Sequence, residues 1–136
     1  MQIYFAGSIR GGRDDQNLYA AIIEQLRRYG KVVTEHVGDA NVNLGGENAS
    51  DCDIHDRDLN WLRDSDVLVA EVTAPSLGVG YEIGRAVEWG TPIVCLYRPA
   101  KDRKLSAMIG GCKALAVHEY SSVGELSAIF DRELKK

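Results

Sequence analysis

The chain has 136 residues, 45% of them apolar, and a formal net charge of −4. That length fits one compact domain spanning the whole chain, and the apolar share suffices for a sizeable core. The acidic balance speaks against a polymeric nucleic-acid partner, which calls for a basic stripe, and no apolar run approaches the roughly 20 residues of a membrane span.

The three cysteines, Cys52, Cys95 and Cys112, form no CxxC pair, and the three histidines are scattered. Free thiols in a reducing compartment are the expectation, with no structural metal. The start MQIYFAGSIR lacks a basic segment followed by a long apolar one, so a cytoplasmic location is expected, or a nuclear one in a eukaryotic cell.

In chain order, residues 2–6 (QIYFA) form a short apolar run ending at Gly7, a first strand. The spacing of Leu18, Ala21, Ile22, Ile23, Leu26 and Tyr29 predicts a helix over 14–29, closed by Gly30. Lys31–Thr34 reads as a second strand, and the polar, glycine-rich stretch 38–50 as a loop. A helix follows over 51–63 and a near-continuous apolar strand over 66–72 (DVLVAEV), the pattern of a central parallel strand covered on both faces. Residues 73–80 read as a loop, 81–89 as a helix and 92–97 as the fourth strand. A helical turn over 105–109, a fifth strand over 114–118 and a closing helix over 123–134 complete the chain. Strands alternating with helices predict an α/β fold with a five-stranded parallel sheet, Rossmann-like or flavodoxin-like, with helices on both faces. In such sheets ligands bind beyond the carboxyl ends of the strands. The rule nominates the connections at 7–12, 35–38, 73–80 and 98–104.

Two of those connections carry notable residues. The first reads Gly7-Ser8-Ile9-Arg10-Gly11-Gly12 and leads into a helix. Glycines permit close backbone approach, helix-start N–H groups favour an anion, and Arg10 adds a planar fork suited to phosphate. A tight strand-to-helix turn accounts for the same glycines. Tyr4, in the strand before, either packs in the core or turns its hydroxyl into a site.

The second connection reads APSLGVGYEIGRA from Ala74 to Ala86. With the helix beginning at Tyr81, Glu82 falls in its first turn. There the positive end of the helix dipole favours the carboxylate, and an ionised carboxylate at a strand's carboxyl edge is a nucleophile candidate. A plain helix-start carboxylate is the other reading. Gly84, inside the helix, reads as a close-packing position against the sheet.

A second acid stands out on the helix over 51–63. At about 100° per residue, Ile54, Leu59, Trp61 and Leu62 cover one arc, and Asp58 falls inside it on the ridge Ile54–Asp58–Leu62. A carboxylate on an apolar face is costly unless paired or used. Asp51, at the helix start, is expected to cap it. Two carboxyl groups about 5–5.5 Å apart are the working pair of retaining glycosyl transfer.

These residues resemble the nucleoside 2-deoxyribosyltransferase family, and within it the branch that hydrolyses 2′-deoxynucleoside 5′-phosphates. The similar pieces are YFAGSIRGGRDD (4–15), TEHV (34–37), DLNWLRDSDVLVAEVTAPSLGVGYEIGRAV (58–87), CLYRP (95–99) and LSAMI (105–109). The resemblance implies a homodimer and a small-molecule substrate, a deoxynucleoside monophosphate whose base, a purine or another, stays open; no cofactor is expected, since side chains can protonate the base and stabilise the sugar cation. It implies Glu82 as nucleophile at the anomeric carbon and Asp58 as the acid that assists the departing base and activates water. Tyr4 would stand beside the nucleophile and sugar. Gly7, Ser8, Ile9, Arg10, Ser76 and Gly78 would line the nucleotide site, with Ser8, Arg10 and Ser76 as phosphate ligands. Ser106, otherwise a helix cap, would reach the phosphate from the neighbouring subunit. A ribonucleotide N-hydrolase of cytidylate type, a base-exchanging transferase and a non-catalytic nucleotide-binding module are the competing expectations.

Overall fold

The computed structural model describes residues 1–9, 13–34 and 50–135. Arg10, the 35–38 connection and the polar stretch up to residue 49 lie outside the described residues.

Five parallel strands form one sheet in the order β2-β1-β3-β4-β5. They are β1 (Gln2–Ala6), β2 (Lys31–Val32), β3 (Val67–Glu71), β4 (Ile93–Tyr97) and β5 (Ala116–Glu119). This is the flavodoxin-like order, which reverses direction between β1 and β3 and opens a crevice at their carboxyl ends. β1 and β3 run in register from Ile3 opposite Val67 to Ala6 opposite Ala70. The helices are α1 (Arg13–Leu26), α2 (Asp51–Arg63), α3 (Leu77–Trp89), the short α4 (Ala107–Gly110) and α5 (Leu126–Leu134), the last preceded by a 3₁₀ turn at Val123–Glu125. None among the described residues is long and apolar enough to cross a membrane.

Strand alternation sorts the core into two layers. Ile3, Phe5, Val67 and Val69 pack against Tyr19, Ile22 and Leu26 of α1 and Leu126 and Phe130 of α5. Tyr4, Ala6, Leu68 and Ala70 point the other way, onto Leu59 and Leu62 of α2 and Val79, Ile83 and Ala86 of α3. One residue of register therefore decides that Tyr4 faces the helices carrying Asp58 and Glu82.

Three boundaries depart from the sequence expectation for identifiable reasons. β2 stops at Val32 because the Thr34 hydroxyl takes over its pairing: it accepts the Phe5 N–H at 2.8 Å and donates to the Phe5 carbonyl. α2 is capped by Ser50, whose hydroxyl accepts the Asp53 N–H at 3.1 Å, so the cap falls one residue before Asp51. α3 begins at Leu77 instead of Tyr81, because Ser76 caps it by accepting the Val79 N–H at 3.2 Å, and Gly78 and Gly80 enter the helix. Its other end closes on Gly90 at φ 72°, a left-handed terminus that glycine adopts without steric cost.

Candidate active site

The early start of α3 changes the setting of Glu82. It is the sixth residue of the helix, beyond the first turn where the dipole acts, so the expected dipole stabilisation of its carboxylate does not apply. The local environment acts in the opposite direction. Glu82 is half-buried, and its proton affinity rises to about 7, first through desolvation and then through the nearby charge of Asp58; a hydrogen bond from Tyr4 pulls the other way.

Tyr4 is the hinge of the arrangement. It is 2% exposed, and its hydroxyl donates to Glu82 Oε2. Burial, then the charge of Glu82 and its hydrogen bond, then Asp58, push the phenol far above its ordinary range. It therefore remains a proton donor to Glu82 at any working pH. The Asp58 charge bears on both Tyr4 and Glu82, which puts two carboxyl groups and a phenol into one electrostatic unit assembled from α2, α3 and β1.

Asp58 is less enclosed than its place on an apolar arc predicts. Its side chain is 22% exposed and pairs with Arg57, whose Nε and Nη2 both lie 3.0 Å from Asp58 Oδ1. The Arg57 guanidinium also lies over the Trp61 ring at 4.9 Å. The neighbouring turn of α2 is joined to α3 at the surface, where His55 Nε2 lies 2.8 Å from the Tyr81 hydroxyl.

The remaining candidates divide between two places. Gly7 and Ser8 sit at the end of β1 on the α1 side. The Ser8 N–H donates to the Tyr19 hydroxyl at 3.2 Å, and a Cβ at Gly7 would lie 2.9 Å from the Tyr19 ring. Only glycine permits that approach. Ile9 is exposed. Ser76 and Ser106 line a different feature, a groove of about 610 Å³ between α3 and the α4 region, together with Leu77, Ile83, Lys104 and Met108. Tyr4, Asp58 and Glu82 do not line this groove, nor does Gly78. Gly84 does, and a Cβ there would meet nothing within 4 Å; the expected close packing on the sheet is absent, and the residue borders open space. Ser106 caps α4, its hydroxyl accepting the Met108 N–H at 3.3 Å.

The sequence reading passed over Arg57, Tyr19, Thr34 and Glu71, and reached Arg98 only as the first residue of the 98–104 connection. Of these, Glu71 had a visible signal: a carboxylate at the end of the apolar run DVLVAEV raises the same cost that singled out Asp58.

Residues 3–121 match the model of the family described as nucleoside 2-deoxyribosyltransferase. The chain belongs to that family. Its relatives include the 5-hydroxymethyl-dUMP N-hydrolase of Rattus norvegicus, 58% identical over 96% of this chain and 82% of the rat protein. A Nematostella vectensis protein named putative 2'-deoxynucleoside 5'-phosphate N-hydrolase 1 is 57% identical over 88% of this chain and 84% of its own length. Among solved structures, the CMP N-glycosidase of Clostridium botulinum superposes with a TM-score of 0.68, covering 97% of this chain and 98% of that one, at 16% identity. At that identity the likeness establishes the shared fold. The strand order opens a crevice at the carboxyl ends of β1 and β3, next to Ser8 and Glu71.

Proposed function

We propose that the chain hydrolyses the N-glycosidic bond of 2′-deoxynucleoside 5′-monophosphates, giving the free base and 2-deoxyribose 5-phosphate. The observation that carries this reading is the union of Glu82, Tyr4 and Asp58 across two helices and a strand, in a chain whose relatives are named for that hydrolysis. A purely binding module gains nothing from two carboxyl groups close enough for one to feel the other's charge.

In the first step the Glu82 carboxylate bonds to C1′ as the C1′–N bond breaks. The bond's electron pair leaves with the base, which takes a proton from Asp58. In the second step Asp58 removes a proton from water, the resulting hydroxide attacks C1′, and Glu82 leaves with its electron pair. The cycle consumes one water and restores both side chains. The first step requires the ionised form of Glu82. Tyr4 supports it by donating to the Glu82 carboxylate, and the raised proton affinity of Glu82 makes it a poised rather than a permanently ionised group.

The phosphate is assigned to Ser8, Arg10 and Ser76 of one subunit and Ser106 of its partner in a homodimer, with Ile9 and Gly78 beside the nucleotide. Support for the dimer comes from the groove. Leu77 is 96% and Met108 82% exposed on its walls. The β4–β5 connection contributes only the short α4, so β5 is left partly covered on this face. A second copy seated there buries these side chains and places serines of both chains along one seam.

The test is release of free base from dGMP, 5-hydroxymethyl-dUMP, GMP and deoxyguanosine, each followed by chromatography. Release confined to the deoxynucleotides is expected. Release from GMP favours a ribonucleotide hydrolase, base exchange on deoxyguanosine favours a transferase, and saturable binding without release removes the catalytic reading. The ratio of dGMP to 5-hydroxymethyl-dUMP turnover decides the base preference. Light scattering of wild type and Leu77→Asp, expected to give a dimer and a monomer, tests the assembly.

A further inference from the structure

Behind the sheet edge, on the face opposite Tyr4, lies a second charged assembly that the proposed mechanism does not use. Glu71 ends the central strand β3 with no exposure at all. Its Oε1 accepts the Thr73 N–H at 2.7 Å. Its Oε2 accepts the Tyr120 hydroxyl and the Arg98 Nε at 3.3 Å. Arg98, just past the end of β4, uses the other side of its fork to reach Asp15 of α1 at 3.2 Å, and its backbone N–H donates to the Thr73 hydroxyl at 2.9 Å. One carboxylate thereby ties the carboxyl ends of β3, β4 and β5 to the first turn of α1.

The same assembly reaches the glycine-rich turn. Asp15 and Tyr19 stand one helical turn apart on α1, and Tyr19 senses the charges of both Glu71 and Asp15. Its hydroxyl receives the Ser8 N–H, and its ring is the floor against which Gly7 lies. On the other side, Thr73 opens the connection that ends at Ser76, the cap of α3. Within one subunit the 73–76 connection is bonded directly to Glu71 through the Thr73 N–H, and the Gly7–Ser8 turn is reached through Arg98, Asp15 and, one turn further along α1, Tyr19.

We propose that Glu71 is a positioning residue for phosphate binding: with Arg98, Asp15 and Tyr19 it fixes the Gly7–Ser8 turn and the 73–76 connection at the spacing a 5′-phosphate needs. The charges lie on the face of the sheet opposite Tyr4, so the role is to hold the two connections in place, not to transfer protons. A buried carboxylate that receives a guanidinium and neutral donors makes a stiff anchor, because each partner left unpaired costs far more than the net gain of forming the pair.

This inference rests on the proposed hydrolase reading, and the experiment separates the two. Glu71→Gln and Tyr19→Phe are compared with wild type for steady-state kinetics on a deoxynucleoside monophosphate and for hydrogen exchange of the Ser8 amide. Tyr19→Phe keeps the ring under Gly7 and deletes only the acceptor, so it reports even where Glu71→Gln does not fold. For each folded variant, KM is expected to rise about tenfold. In the same variants kcat stays within about threefold of wild type, and the Ser8 amide loses protection. A fall in kcat at constant KM, or unchanged Ser8 protection in Tyr19→Phe, overturns the positioning role. Wild-type protein that releases no base from any nucleotide overturns the hydrolase reading instead, and the Ser8 exchange then still decides whether the anchor exists.

Discussion

Two glutamates follow each other in the chain, Glu71 at the end of β3 and Glu82 in α3, and their surroundings could hardly differ more. Glu71 faces α1 and α5, is fully buried, and receives a backbone N–H, a phenol and a guanidinium. Glu82 faces the other layer, is half-buried, and has Tyr4 as its recorded donor and a second carboxylate as neighbour. The first environment compensates the cost of burial and yields an anchor. The second leaves part of that cost standing, as a proton affinity raised to about 7. Burial alone does not mark a reactive group; burial with too few donors does.

The sharpest way to break this contrast is to exchange the roles. Glu82→Gln is expected to lower the rate of base release about 10⁴-fold, since it removes the nucleophile, and chromatographic turnover measurements check it. A variant that retains wild-type turnover ends the distinction drawn here. Glu71→Ala should instead appear in stability: it leaves two neutral donors without a partner and Arg98 with Asp15 alone, with a loss of about 3 kcal/mol in urea unfolding. Equal stability of Glu71→Ala and wild type would show that the anchor is dispensable.

The two sites also differ in pH dependence. For Glu82 the folded value lies above the ordinary 4.5, so the folded state holds the proton more tightly than the unfolded one. The corresponding stability is complete below about 4.5 and is lost as pH rises through about 7. Relative to Glu82→Gln, wild type should therefore lose up to about 3 kcal/mol between pH 4 and pH 8, read by unfolding at each pH; parallel curves would contradict the raised affinity. A smaller effect sharpens the same point. The Tyr4 hydrogen bond lowers the Glu82 value, so Tyr4→Phe should move the acidic limb of kcat/KM to higher pH by about one unit. A limb that stays in place or moves to lower pH would remove Tyr4 from the tuning of Glu82.

Much of this was legible in the chain itself. The alternation of short apolar runs with helical spacing gave an α/β sheet with its five strands at nearly the observed positions. The acid on the apolar ridge of α2 and the two glycine-bearing connections pointed to the sheet edge where the candidate site lies. The misjudgements were local. Gly78 and Gly80 read as loop residues because glycine disfavours helices, yet the Ser76 cap and the burial of Val79 carry the helix through them. Glu71 was visible as a carboxylate in the apolar run DVLVAEV, but its role was not, because a sequence does not display the arginine and tyrosine that compensate it from 27 and 49 positions away.

Periodicity and residue type are local properties, and they sufficed to determine the order of strands and helices along the chain and a short list of candidate acids. What only the tertiary structure decided was the environment of each acid: that Glu82 meets Tyr4 and feels Asp58, that Asp58 is paired with Arg57, and that Glu71 is an anchor. The reason is physical. The free energy of a charge is set by the dielectric and the donors within a few ångströms of it, and in a parallel sheet those neighbours arrive from distant segments of the chain.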